Sequence, residues 1–390
     1  MGIVGAEREP FQDCSVTASG GQQCTAPNDI KPDWNNLLDR SEEYGERQLL
    51  EHHEHEIQEK TERRLLQVAK YMRELVLAQD KFKYVRRKCQ NQYEHCTLWA
   101  AIGECEKNPN FMQLKCAPAC MSCDQLSTEL RCPFDPEHAS HTWLPGDVNK
   151  FFQRITTDPK YQGLMNLTIY SRPGMESKYT INNTKRESPW IVAFDGFLTD
   201  EECDTLVELG AARGYKRSED TAEEESLDGT LGGQRSDGRT STNAWCMDDC
   251  YEHPIAQRVL QKIENLTQIP DNHAEHLQIL RYQVGQFYEL HHDYVPRDLK
   301  RPQGVRMLTV FLYLNNVPAG GGTRFPFLNI TVVPKKGRAL LWPSVRNQRP
   351  NSRDPSTYHE ALPVQEGEKH AANAWFHQRD FKTPFAARCH

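Results

Sequence analysis

The pair His291-x-Asp293 is the first place in this sequence where residue type and spacing suggest a metal. Residues two apart on a strand point to one face, so both side chains can reach one ion. A neutral imidazole beside a carboxylate suits ferrous iron, and a distant histidine would complete a facial triad with positions left open for cosubstrate and oxygen. His-x-Asp is a common coincidence, so the weight rests on the downstream run Tyr358-His-Glu-Ala-Leu-Pro-Val-Gln-Glu-Gly-Glu-Lys-His. It offers His359 as third ligand and, beyond an intervening turn, Lys369. A lysine deep in a barrel needs an anionic partner, because burying an unpaired ammonium is costly. A dicarboxylate cosubstrate would supply one; the alternative is an exposed turn lysine beside Glu366 and Glu368. His292 should face the opposite side of its strand and is read as structural.

Such a site needs strands to hold it, and they begin near Ser188. Trp190-Ile-Val-Ala-Phe reads as a strand. A helix follows, capped by Thr199 or Asp200, with acidic residues at its positive N-terminal end. Pro254 to Leu266 is a second amphipathic helix. Short strands then follow at Leu277–Tyr282, Met307–Leu314, Arg338–Trp342 and Asn373–Phe376, separated by turn residues that include Ala319-Gly-Gly-Gly. Two helices ahead of many short strands predict an α+β domain, a double-stranded β-helix (jelly roll) with helices packed on one sheet. The acidic, Gly/Ser-rich stretch 217–238 reads as a mobile loop.

The first half of the chain differs. Residues 1–33 read as a disordered arm. Residues 34–88 hold Leu65, Val68, Met72, Leu75 and Val76 at helical spacing, an amphipathic helical segment. The run Glu51-His-His-Glu-His-Glu could bind metal, but a solvated helix face suits it better. Six cysteines crowd residues 89–123, where a short stretch lacks a large core and cross-links compensate. Fifteen pairings are open to six cysteines. A zinc site from Cys116, Cys120 and Cys123 is an alternative that lacks a fourth ligand. Residues 124–187 read as a linker with some local structure, and 188–390 as the domain that carries the chemistry.

Composition limits the function classes. The 390 residues suffice for one large domain and one or two small ones. A net charge of −7 argues against nucleic acid as the main partner. No apolar run approaches the roughly 18 residues of a membrane span. Thirteen cysteines and the sequons at Asn166, Asn182, Asn265 and Asn329 favour an oxidising secretory compartment and a glycoprotein. MGIVGAEREPF does not read as a signal peptide. A cytosolic protein with scattered thiols is the alternative.

Two resemblances emerge from these motifs. The cysteine pattern, with Trp99-Ala100, Gly103 and Asn108 around Cys105, resembles the ShK toxin-like (ShKT) domain, which implies the pairs Cys89–Cys123, Cys96–Cys116 and Cys105–Cys120. Residues from about 188 to 385 resemble the catalytic domain of prolyl 4-hydroxylases, most closely the plant and algal type. The matching stretches are Arg239-Thr-Ser, Leu280 to Tyr294, Gly321-Gly-Thr-Arg-Phe-Pro, Lys336-Gly-Arg-Ala-Leu-Leu-Trp and His359 to His377. That resemblance implies iron(II), 2-oxoglutarate, molecular oxygen and ascorbate, and a proline-rich or collagen-like polypeptide as substrate. It implies His291, Asp293 and His359 as iron ligands. Lys369 would hold the distal carboxylate of 2-oxoglutarate, with Tyr282 and Thr323 at the same end. Arg239, Ser241, Glu275, Tyr288, Arg306 and His377 would line the peptide channel, with Trp375 on the same final strand. Tyr288, Arg306 and His377 are the catalytic candidates among them. The endoplasmic reticulum lumen and a homodimer are further implications. A lysyl or prolyl 3-hydroxylase is the nearest rival, although those relatives generally carry Arg where Lys369 stands. A non-catalytic secreted binding protein using the ShKT-like module is the rival from another class. The pairing of Cys14, Cys24, Cys132, Cys203, Cys246, Cys250 and Cys389 stays open.

Overall fold

The computed structural model describes residues 13–16, 22–25, 42–50, 54–162, 166–175, 180–181, 184–185, 187–225 and 231–389. They divide into two units, Met1–Leu126 and Ser127–His390.

In the first unit, helix α1 (His55–Tyr71) runs on into a π-helical turn, Met72–Val76. Its apolar stripe of Leu65, Val68, Met72 and Val76 is buried. The helix serves as the cover of the cysteine-rich segment: Arg64 Nε donates to the Ala119 carbonyl at 2.8 Å, and the Cys123 amide donates to the Tyr71 hydroxyl at 3.0 Å. That segment is built of short helices cross-linked by Cys89–Cys123, Cys96–Cys116 and Cys105–Cys120. All three sulfurs of the zinc alternative are therefore taken. Residues 1–33, expected to be an unstructured arm, include two antiparallel strands, Asp13–Val16 and Gln22–Thr25, with Cys14 opposite Cys24; the rest of that arm lies outside the described residues. His55 and Glu56 of the His/Glu run are exposed, and residues 51–53 lie outside the described residues.

The second unit begins before the expected boundary. Helix α2 (Asp147–Thr157) falls in the stretch read as a linker, yet it buries Val148, Phe151, Phe152 and Ile155. Their i, i+3, i+4, i+7 spacing is the mark of a helix with one apolar face. Phe152 stacks on Trp190 at 5.6 Å. Strands β1 (Asn166–Ser171) and β2 (Ile191–Asp195) follow. Helix α3 (Asp200–Arg213) is opened by a capping box in which Thr199 and Glu202 satisfy each other's backbone amides. Next come β3 (Lys216–Arg217), β4 (Asp220–Glu225), β5 (Leu231–Gln234) and β6 (Thr242–Trp245). β4 and β5 pair as a hairpin, so the stretch expected to be a loop carries strand structure; residues 226–230 at its tip lie outside the described residues. Helix α4 (Pro254–Thr267) precedes β7 (Gln278–Tyr282) and β8 (Tyr288–His291). The remaining strands of the site are β9 (Arg306–Tyr313), β10 (Thr323–Phe325), β11 (Ile330–Val332), β12 (Ala339–Pro343), β13 (His359–Ala361) and β14 (Lys369–His377).

An eight-stranded sheet has the order β1-β2-β12-β9-β14-β7-β6-β3, and a four-stranded sheet the order β8-β13-β10-β11. Together they make the jelly roll. Alternation along β9 separates two cores. Leu308, Val310 and Leu312 join Leu206, Val259 and Ile263 of the helices on one face. Phe311 and Tyr313 join Tyr282, Phe325 and Trp342 in a second cluster on the other. Each large side chain fully buried in this way contributes roughly 1.5–3 kcal/mol. Two disulfides belong to this unit, Cys132–Cys389 and Cys246–Cys250. Cys203 is a free, buried thiol among the described residues, and burial pushes it up to about 11, which makes it inert.

Candidate active site

The turn after β8 places Asp293 beside His291, and the pairing of β8 with β13 sets His291 opposite His359. The ligating atoms of His291, Asp293 and His359 lie within 4.8 Å of one another. His359 Nε2 is 3.7 Å from Asp293 Oδ2. The two imidazoles are oriented alike: His291 Nδ1 meets the Glu289 carbonyl at 2.7 Å, and His359 Nδ1 meets the Thr357 carbonyl at 3.0 Å. A carbonyl only accepts, so each Nδ1 carries the proton and each Nε2 keeps a lone pair for a cation. Asp293 Oδ2 accepts the Thr309 hydroxyl at 2.6 Å. Burial pushes the Asp293 carboxyl up, but His359, His291 and Thr309 outweigh it and hold it at about 2. Burial pushes His291 well below the usual histidine range, with His359 adding to the effect. A carboxylate and lone-pair imidazoles facing one point fit a divalent metal of the iron type.

His292 turns away from the other three. Its Nε2 donates to the Asp354 carbonyl at 2.9 Å, and its Nδ1 accepts from the Tyr294 amide at 2.9 Å. It thereby ties the His291 segment to the segment that leads into His359. Burial holds it at about 4.

Lys369 begins β14 and is fully buried, opposite Tyr282 on β7. Its ammonium has no hydrogen-bond partner among the described residues. Three aromatic rings surround it, Tyr282 at 5.0 Å, Phe311 at 5.2 Å and Tyr313 at 5.6 Å. Burial alone pushes it down to about 7. Thr323 is buried close by, its hydroxyl accepting from Tyr313 at 2.7 Å. The triple glycine ahead of Thr323 has a mechanical reason. Gly321 sits at φ +69°, and a Cβ there would stand 3.4 Å from Lys369 Cδ. An orphaned buried ammonium walled by aromatic rings is what a dicarboxylate would require at its far end.

A cavity of about 1120 Å³ opens on the other side of the metal ligands. It is lined by Arg239, Glu275, Tyr288, His291, Asp293, Arg306, Trp375 and His377, and does not reach Lys369, Tyr282 or Thr323. The charges around Glu275 are paired. Arg306 Nε and Nη2 donate to Glu275 at 2.5 and 3.1 Å, and His377 Nε2 contacts Glu275 Oε1 at 2.9 Å. Burial pushes the Glu275 carboxyl up, but the Arg306 charge and the His377 hydrogen bond hold it at about 2. Arg306 also lies 4.0 Å over Trp375, whose buried indole N–H has no partner among the described residues. Arg239 donates to the Glu219 carbonyl at 2.8 Å and to Gln278 at 3.0 Å, 4.5 Å from the centroid of Tyr288.

Ser241 departs from its expected place in the peptide channel. It is fully buried, donates to Ser218 Oγ at 2.9 Å and does not line the cavity. Sequence reasoning missed Thr309, Tyr313 and Trp342, whose ring is 4.7 Å from His359. Alternation along the expected strand from Met307 puts Thr309, Phe311 and Tyr313 on one face, and a hydroxyl in so apolar a run was the available signal.

Comparison with known proteins agrees with this geometry. The 2OG-Fe(II) oxygenase superfamily model matches residues 277–377. Prolyl 4-hydroxylase 2 of Arabidopsis thaliana is 35% identical over 215 residues, covering 50% of this chain and 69% of that protein. Prolyl 4-hydroxylase 5 of the same plant is 33% identical over 216 residues, 50% of this chain and 70% of that one. Prolyl 4-hydroxylase subunit alpha-1 of Gallus gallus is 34% identical over 219 residues, 53% of this chain but 40% of that subunit, so this chain spans less than half the length of the animal protein. Among solved structures, the 2OG complex of a viral collagen prolyl hydroxylase from Paramecium bursaria Chlorella virus-1 is 27% identical over 48% of this chain and 94% of its own, with a TM-score of 0.38. On the extent and identity of the plant matches, this chain belongs to the prolyl 4-hydroxylase family of 2OG-Fe(II) oxygenases.

Proposed function

We propose that this chain hydroxylates peptidyl proline at C4 in proline-rich or collagen-like polypeptides, using iron(II), 2-oxoglutarate, oxygen and ascorbate and releasing succinate and CO2. The observation that carries this reading is the unpartnered ammonium of Lys369, buried in the same jelly roll as a three-ligand metal set.

His291, Asp293 and His359 would hold the iron, which when bound supplies the oxidative chemistry of the reaction. Thr309 fixes the ligating carboxylate, and the Glu289 and Thr357 carbonyls fix the imidazole tautomers. Lys369 would take the far carboxylate of 2-oxoglutarate, with Tyr282 and Thr323 beside it. The peptide would lie in the large cavity, against Trp375, Tyr288 and Arg239. The Glu275–Arg306–His377 cluster holds its floor rigid before substrate arrives. A polyproline II segment suits this groove, because its preformed shape costs little entropy on binding. Lysine rather than arginine at 369 favours the prolyl 4 class over its rivals. Five disulfides among the described residues support a lumenal, secretory setting. No helix among the described residues is long and apolar enough to cross a membrane. The ShKT-like module serves as an accessory unit in this reading.

The test is incubation with iron(II), 2-oxoglutarate, ascorbate and a panel of proline-rich peptides, read by peptide mass and succinate. One oxygen gained on proline, abolished by His291→Ala, is the expected result. Succinate without any modified peptide would leave a dioxygenase and remove the prolyl assignment. Absence of iron-dependent turnover across the panel would favour a binding protein.

A further inference from the structure

Asp220 opens the first strand of the acidic hairpin, and no role described above uses its carboxylate. Oδ1 accepts the phenolic proton of Tyr288 at 2.7 Å, and Oδ2 accepts the Ser236 hydroxyl from just beyond the second strand. Arg239 Nη1 stands 3.7 Å from Oδ1. Tyr288 lies on the strand that bears His291, and its ring rests on that imidazole at 3.5 Å between centroids and 17° between planes. The base of the hairpin is stitched to the same strand. The Glu289 amide donates to Gly238 at 2.8 Å, and the Thr240 amide to Phe287 at 3.0 Å.

We propose that Asp220 is a positioning residue for the metal ligand His291, acting through Tyr288, so that the hairpin is mechanically coupled to the iron site. The argument rests on the reading of His291 as an iron ligand. A ring stacked at 3.5 Å cannot tilt without displacing the imidazole beneath it. The phenol is half-buried, and a hydroxyl deprived of its acceptor there turns to find another. Asp220 therefore sets the plane of Tyr288, and Tyr288 the plane of His291. Because Asp220 also grips Ser236, any movement of the hairpin base reaches the phenol directly. The hairpin borders the groove, with Asp220, Thr221 and Gly233 in its lining. Peptide engagement would thus be felt at the metal.

The experiment uses the full chain, with cobalt(II) in place of iron for visible spectroscopy and with iron for turnover. Asp220→Ala should shift the cobalt ligand-field bands and lower kcat by about 10- to 100-fold, the usual effect of removing an outer partner of a metal ligand. Asp220→Asn keeps an oxygen for Tyr288 and should recover most of both effects. Tyr288→Phe should give the same spectral shift, and the double variant Asp220→Ala/Tyr288→Phe should be no worse than Tyr288→Phe alone. Additive losses in the double variant would overturn the proposal. So would cobalt bands in Asp220→Ala identical to the parent, or an Asn variant as impaired as the Ala one. If Asp220→Ala does not fold, the Asn and Phe variants decide by the same spectra. Full cobalt binding by His291→Ala would instead remove the ligand reading on which the argument stands.

Discussion

Buried charge is handled in opposite ways on the two sides of the metal ligands. Around Glu275 the carboxylate has Arg306 and His377 within hydrogen-bond distance, and Arg306 has Trp375 beneath it. Around the Lys369 ammonium stand three aromatic rings, and among the described residues it has no hydrogen-bond partner. The first arrangement is complete in itself and holds its shape whatever is bound. The second is incomplete, and the protein bears the cost of desolvating a cation until an anion arrives. The difference separates a preformed, self-satisfied floor from a pocket that an anion would complete.

The contrast makes opposite predictions for stability. Glu275→Gln should destabilise the fold by about 3–5 kcal/mol, because it leaves Arg306 and His377 buried without their counter-charge. Chemical denaturation measures this, and an unchanged midpoint would show that the cluster does not hold the floor. Lys369→Met should do the reverse, raising the stability of the ligand-free protein at pH 6 by on the order of 3 kcal/mol while abolishing 2-oxoglutarate binding. If both substitutions destabilise, the distinction collapses.

The sign of the pH dependence sharpens it. Lys369 is pushed down to about 7 from 10.5 in the folded protein. Between those values the unfolded chain binds the extra proton, so ligand-free stability should rise with pH across that window, with the penalty fully present below about 7. The Met variant should lack this slope. At pH 8 the parent should take up a proton when 2-oxoglutarate binds, because the dianion restores the ammonium. Calorimetry in two buffers of different ionisation heat reads this, and a heat independent of buffer would contradict it. The smallest effect is expected from Thr309→Val, which removes the hydrogen bond to Asp293. Metal affinity should fall about 10- to 100-fold with little change in folding, as measured by competition with a chelating dye.

Much of this was legible in the chain because the site is strand-borne. The strand period predicts His291 and Asp293 on one face; the two do meet, but it is the turn after β8, not the strand, that brings Asp293 round. The expected strands fell within one or two residues of β7, β9 and β12, where Val, Leu, Phe and Tyr alternate. What stayed hidden depended on long-range packing. Polar and proline residues around Val148, Phe151, Phe152 and Ile155 suggest a linker with some local structure, whereas the helix α2 is fixed by packing such as that of Phe152 on Trp190 far along the chain. The acidic, Gly/Ser-rich composition of 217–238 predicts a loop because it disfavours strands, whereas the pairing of β4 with β5 overrides that preference. The motif around Arg239 implies a groove position for Ser241, and only the folded arrangement shows its hydroxyl bonded to Ser218.

The bond between Cys132 and Cys389 spans 257 residues, and it changes the topology of the second unit. Nearly all of that unit lies within a covalent ring. A protease that cuts one peptide bond inside the ring would therefore open it without releasing a fragment. The severed pieces would travel together on a non-reducing gel and part only after reduction. Such a molecule can be nicked and remain one molecule for as long as the disulfide stays oxidised.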